Sequence, residues 1–314
     1  MMAIRSWIGI VCLGCCVAIA GEPRKGSRGG MAYPPDLPDA KVEVYRTVGD
    51  TKLNLYIFSP PGHRADDRKP AIVFFFGGGW KNGSPAQFSE TCRYLASRGM
   101  VAMTADYRVA SRHDVKAVDC VKDAQAAVRW IRANAVRLGI DAGRIAAGGG
   151  SAGGHIAACT GTVRDIDDPE AKIGSRPAAM VLFNPVMALA AIDGVAPDAD
   201  LSEALKGRMG IDPEAVSPAH HVAKGTPPTI MFFGTQDRLL AGAESFARGM
   251  KSAGNRCELV TYKDQGHGFF NYGRGGNEYF RKTLEEADRF LASLGWLKGE
   301  PSVGKHLETV PFAK

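Results

Sequence analysis

The sequence predicts an α/β fold, a doubly wound and mostly parallel sheet of about eight strands with helices on both faces. Three observations carry this. Strand-like and helix-like patterns alternate along most of the chain, which argues for parallel strands joined by crossover helices. Several strands are continuous apolar runs, as in AIVFFF, the form of a strand buried on both faces. The longest helical segment, VKAVDCVKDAQAAVRWIRANAVRLG, is amphipathic, with one face to bury and one to expose.

In order, KVEVYRTV and KLNLYIFS alternate around Gly49-Asp50 and read as an antiparallel hairpin. AIVFFF follows as a buried strand, FSETCRYLASRG as a helix and MVAMTADY as a strand. VKAVDCVKDAQAAVRWIRANAVRLG is a long amphipathic helix with Gly139 near its end. RIAAGGG is a short strand and SAGGHIAACTGTV a helix. AAMVLFNP, PTIMFFG and CELVTY are further strands, and AESFARGMKSAG and EYFRKTLEEADRFLASLG are helices. No internal repeat is present. The ordered domain spans 41–298, with an insertion at 186–225 that breaks the alternation and is expected to shape a pocket. Residues 21–40, rich in Gly and Pro, read as a flexible lead-in, and 299–314 as a loose tail.

The 314 residues are 45% hydrophobic and 23% charged, enough to bury a large core. A net charge of +6 without clustered Lys and Arg argues against a nucleic-acid partner. Arg5, an apolar run from Trp7 to Ala20 and the small residues Ala18 and Ala20 have the form of a secretory signal peptide over 1–20. A secreted or periplasmic protein is therefore expected. Cys15 and Cys16 leave a lipid anchor as the minor alternative, and the run is too short for a stable membrane span. Cleavage leaves Cys92, Cys120, Cys159 and Cys257. Their wide spacing does not indicate a zinc site, and their pairing stays open.

Gly149-Gly150-Ser151-Ala152-Gly153 fits G-x-S-x-G between a strand and a helix. Glycines permit the sharp turn that lifts the Ser151 hydroxyl above the sheet, at a helix N-terminus where negative charge is favoured. Serine needs a base, and the base an orienting acid. Asp237 follows the strand PTIMFFG, and His267 follows CELVTY between two glycines. Both are expected at the sheet edge that carries Ser151. His155, His220, His221, His63 and His113 are competing histidines. His155 is assigned to local packing, while His220 and His221 are candidates for the pocket lining. Asp106 and Asp264 read as loop or strand-end hydrogen bonders. Gly77, Gly78 and Gly79, delivered by a buried strand, form a loop whose amides no side chain crowds. Gly78, Gly79 and Ala152 N–H are assigned to an oxyanion hole. Trp80 is either a pocket wall or a core residue.

GGGW after a strand, DYR after the next, GSAGGH, GTQD and GHGF together resemble the α/β-hydrolase superfamily over roughly residues 41–297. They are similar to its lipase/esterase branch, which includes hormone-sensitive-lipase-like enzymes and bifunctional feruloyl and acetyl xylan esterases. The resemblance implies a serine carboxylesterase without metal or organic cofactor, acting on a small-molecule or polysaccharide ester. It departs at Phe76, where the family usually has a His that braces the oxyanion loop. The short lead-in speaks against a long-chain lipase and for an open site. A prolyl-oligopeptidase-like peptidase and a non-catalytic hydrolase-like binding protein are the alternative readings.

Overall fold

In the computed structural model, which describes residues 32–310, the eight strands form one sheet in the order β1-β2-β4-β3-β5-β6-β7-β8. The strands are β1 (Lys41–Val48), β2 (Thr51–Phe58), β3 (Lys69–Phe75), β4 (Val101–Ala105), β5 (Ile140–Gly150), β6 (Ala179–Phe183), β7 (Thr229–Gly234) and β8 (Cys257–Tyr262). β2 runs antiparallel to both β1 and β4, and all the other pairs are parallel. The hairpin turns at Gly49, whose φ of +55° suits glycine.

The helices are α1 (Ser89–Ser97), α2 (Ala110–His113), α3 (Ala117–Ala133), α4 (Ala152–Thr162), α5 (Ala199–Leu205), α6 (Leu240–Ser252), α7 (Glu278–Ser293) and α8 (Val303–Thr309). Alternate residues of β3 feed two cores. Val73 and Phe75 face a cluster with Val121 of α3, Ile156 of α4 and Phe246 of α6. Ile72 and Phe74 face another with Leu95 of α1, Leu284 of α7 and Val303 of α8. This period-two division explains why β3 reads as an unbroken apolar run.

The winding places the site. The chain passes from β3 to β4 on one side, then returns to lay β5 against the opposite side of β3. Direction reverses there, and the crevice beyond the carboxyl ends of such strands is a natural binding position. Phe75 pairs with Gly149, so the loop after β3 and the turn after β5 emerge side by side.

Close packing at that turn accounts for its glycines. A Cβ on Gly153 would lie 2.1 Å from the Phe75 carbonyl oxygen and 2.3 Å from that of Phe76. Both are backbone atoms, one at the end of a central strand and the next held by the Tyr107 hydroxyl at 2.7 Å, so neither yields readily. Gly153→Ala is expected to cost at least about 3 kcal/mol by urea denaturation. Gly304→Ala on α8, where a Cβ meets nothing within 4 Å, is expected to be neutral or slightly stabilising.

Two boundary expectations are corrected. The described part of the lead-in, 32–40, is pinned rather than flexible. The Tyr33 hydroxyl donates to Asp106 Oδ2 at 2.6 Å, the Arg112 guanidinium lies 3.6 Å over the Tyr33 ring, and Leu37 is buried. Likewise the segment after 298 is not a loose tail through residue 310. Val303 is fully buried, Ser302 N–H donates to the Tyr94 hydroxyl at 3.0 Å, and His306 Nε2 meets Glu90 Oε1 at 2.6 Å. The expected signal peptide, 1–20, lies outside the described residues. Among those described, no helix is long and apolar enough to cross a membrane. The four cysteines Cys92, Cys120, Cys159 and Cys257 are free thiols, the first three buried.

Candidate active site

Ser151 occupies the turn between β5 and α4 with φ +52° and ψ −120°. A non-glycine residue pays strain at such a φ, and surrounding packing must hold it there. Here Ser151 N–H donates to the Phe183 carbonyl of β6 at 2.9 Å, with Gly150 before it and Gly153 two residues after. The hydroxyl is left free to reach His267 Nε2, 2.8 Å away.

Asp237 and His267 arrive on the loops after β7 and β8. His267 Nδ1 lies 2.8 Å from Asp237 Oδ2. The carboxylate is the acceptor, so the ring proton sits on Nδ1 and leaves Nε2 bare toward the serine. The Asp237 side chain is fully buried, while that of His267 is 43% exposed, so the acid is shielded and the base reachable. Asp237 is fixed further by Leu239 N–H, which donates to Oδ1 at 3.0 Å. The His267 carbonyl accepts from Arg274 Nη1 at 3.0 Å. The three residues singled out in the sequence thus form one connected array.

Asn184 escaped the sequence reading. It directly follows β6 at the same sheet edge, fully buried, and its Nδ2 donates to Asp237 Oδ2 at 3.1 Å. The same Nδ2 lies 2.8 Å from His267 Nδ1, which carries its proton toward Asp237 and accepts nothing from it. Turning the amide over would set its oxygen against the carboxylate, so the acid dictates its orientation. The consequence is that Asn184 Oδ1 is buried without a hydrogen-bond partner among the described residues. The available signal was positional: Asn184-Pro185 follows a buried strand, as Asp237 does.

The loop after β3 lies against Ser151. A Cβ on Gly77 would be 3.4 Å from Ser151 Cβ. Gly78 has φ +132° and Gly79 φ +61°. Among the described residues, the amides of Gly78, Gly79 and Ala152 have no protein acceptor, whereas Gly77 N–H donates to Gln87 Oε1 at 2.6 Å. Phe76 is buried, with its ring stacked on Tyr107 at 4.1 Å between centroids.

Both pocket assignments are corrected. Trp80 is no pocket wall, being 2% exposed with its indole N–H donating to His155 Nδ1 at 3.2 Å. His155 Nε2 in turn donates to the Val216 carbonyl at 2.7 Å. Burial pushes the His155 pKa down to about 4, so the ring is neutral and serves as a buried connector. His221 meets the Glu214 carbonyl at 2.8 Å and is occupied within the insertion. His220 does the same through Ser217 and Ala191. Neither histidine lines the hollow that the insertion forms. That hollow, of about 270 Å³, is walled by apolar residues including Leu189, Leu201, Leu205, Met209 and Ile211. Ser151 and His267 are not in its wall. Arg208, within the insertion, donates from Nη2 to the Gly79 carbonyl at 3.4 Å. Asp106 is a buried strand-end carboxyl, raised by burial to about 6 and tied to Tyr33 and Tyr107 N–H.

A sharp serine turn, a bare imidazole nitrogen and a buried acid at the carboxyl edge of a parallel sheet define a class of hydrolase. A family model described as the alpha/beta hydrolase fold matches residues 72–271, and the chain belongs to that family. Carboxylesterase NlhH of Mycobacterium tuberculosis is 29% identical over 259 residues, covering 77% of this chain and 80% of that protein. A solved esterase of Thermogutta terrifontis, Est2, is 52% identical at a TM-score of 0.81, covering 87% of this chain and 98% of that one. The same esterase phosphonylated by sarin superposes at 0.83 with 51% identity, over 86% of this chain and all 100% of that one. The chain is a carboxylic ester hydrolase of the lipase/esterase branch.

Proposed function

We propose that the enzyme hydrolyses short acyl esters through an acyl-enzyme on Ser151. His267 Nε2 takes the Ser151 proton as the hydroxyl oxygen attacks the ester carbonyl, then delivers that proton to the departing alkoxide. Water attacks the acyl-serine by the same route, restoring the hydroxyl. Asp237 holds the Nδ1–H tautomer and stabilises the imidazolium as it forms. Gly78, Gly79 and Ala152 N–H donate to the oxyanion of each tetrahedral intermediate. The observation that carries this reading is the pair of 2.8 Å contacts from the two nitrogens of His267, one to Ser151 and one to Asp237.

Short chains are favoured by a solved relative. Est2 has been solved with butyrate bound and with propionate bound, at 52% identity to this chain. In the biological substrate we place acetyl or feruloyl groups on a polysaccharide, met outside the cell after export directed by residues 1–20. Est2 is also phosphorylated by paraoxon, and stoichiometric labelling of Ser151 by paraoxon is expected here.

The test is a p-nitrophenyl ester series from acetate to palmitate, with acetylated xylan and methyl ferulate beside it. The expected result is a kcat/KM maximum between two and four acyl carbons, falling at least about tenfold by eight. A maximum at long chains would reject the short-acyl reading. Inert xylan and ferulate would remove the polysaccharide assignment while leaving the esterase intact.

A further inference from the structure

Phe76, the first residue after β3, is a phenyl ring, so it gives the glycine loop no polar side-chain support. The peptide unit between Phe76 and Gly77 is nonetheless held at both polar atoms. Its carbonyl accepts from the Tyr107 hydroxyl at 2.7 Å, and its N–H donates to Gln87 Oε1 at 2.6 Å. Gln87 sits in the single helical turn Pro85–Phe88. Its Nε2 donates to Asn271 Oδ1 at 2.7 Å, and Asn271 Nδ2 donates to the Gly268 carbonyl at 2.9 Å. Gly268 is the residue after His267.

The bridge has one possible polarity. At one end stands a backbone N–H, which can only donate, and at the other a backbone carbonyl, which can only accept. Each amide between them must therefore turn its oxygen toward Gly77 and its nitrogen toward Gly268. No backbone–backbone hydrogen bond among the described residues joins these two loops. They leave β3 and β8, which stand three strands apart in the sheet, with β5, β6 and β7 between them.

We infer that Gln87 and Asn271 are positioning residues that lock the oxyanion loop to the loop carrying His267. The inference rests on the Ser151 reading above. Hydrolysis requires the amides of Gly78 and Gly79 and the His267 ring to keep fixed relative positions while charge develops. Two amide side chains, 184 residues apart in sequence, supply that constraint.

Gln87→Met keeps the length of the side chain and removes both hydrogen bonds. The expected result is a fall in kcat of about tenfold or more on p-nitrophenyl butyrate, with KM within about twofold, because the bridge acts on the transition state. Asn271→Leu is expected to match it, and the double variant to be no worse than either single, since one link is broken in all three. Should Gln87→Met fail to fold, Asn271→Leu tests the same bridge from its far end. Wild-type kcat in folded single variants, or losses that multiply in the double, would overturn the inference. Ser151→Ala is measured beside them. An active Ser151→Ala would defeat the nucleophile assignment and the bridge with it, whereas a dead one beside a fully active Gln87→Met would defeat the bridge alone.

Discussion

Ser151→Ala is expected to abolish turnover, lowering kcat on p-nitrophenyl acetate by a factor on the order of 10⁵ to 10⁶. The acyl-enzyme cannot form without the hydroxyl, and water attacking in its place lacks the fixed approach of the turn. The substitution should leave the fold intact. Ser151 Oγ has His267 as its side-chain partner, and the φ of +52° is no harder for alanine than for serine. Stability within about 0.5 kcal/mol of the wild type is therefore expected by urea denaturation. Paraoxon labelling, followed by mass spectrometry of the peptide containing Ser151, should disappear. Retained turnover in a folded Ser151→Ala protein would reject the proposed mechanism.

The second large effect is at Asp237. Its Oδ1 accepts from Leu239 N–H, and its Oδ2 from His267 Nδ1 and Asn184 Nδ2. Both carboxylate oxygens are thus used as acceptors. Asp237→Asn offers only one. If that oxygen stays with Leu239, the new NH₂ faces His267 Nδ1 and drives the ring proton to Nε2, where it blocks uptake of the Ser151 proton. It also sets two NH₂ groups, those of residues 184 and 237, against each other. A loss in kcat of about 10⁴ is expected, or about 5 kcal/mol of transition-state stabilisation. Adding Asn184→Asp to that variant places a carboxylate where an amide nitrogen lies 2.8 Å from His267 Nδ1. Partial recovery of kcat is the expected outcome. No recovery in a folded double variant would show that the acid must approach from the β7 loop.

Much of this was legible in the sequence because the signals are local. The strands were marked by local apolar runs or by alternation, and the parallel crossovers followed from the succession of strands and helices, while the strand order did not. The serine turn needs glycines within two positions of Ser151, since the backbone itself forms the tight contact, so the pattern survives in one dimension. Asp237 and His267 were findable because parallel strands deliver their following loops to a common edge. For 32–40 and 299–310 the local sequence is a poor guide, since it does not show the Tyr33 hydroxyl or the Val303 side chain that ties each segment down.

By itself, then, the sequence determined the sheet, its winding and the three residues brought to its edge, because strand period, turn chemistry and topology are properties of neighbouring residues. Only the tertiary structure decided what supports them. Trp80 and His155 meet across 75 residues of chain, Asn184 and Asp237 across 53, and Gln87 and Asn271 across 184. Those pairs have no periodicity and no common spacing. A buried amide or indole finds its partner by where packing places it, and that position is set by the whole sheet rather than by any stretch of sequence around the residue.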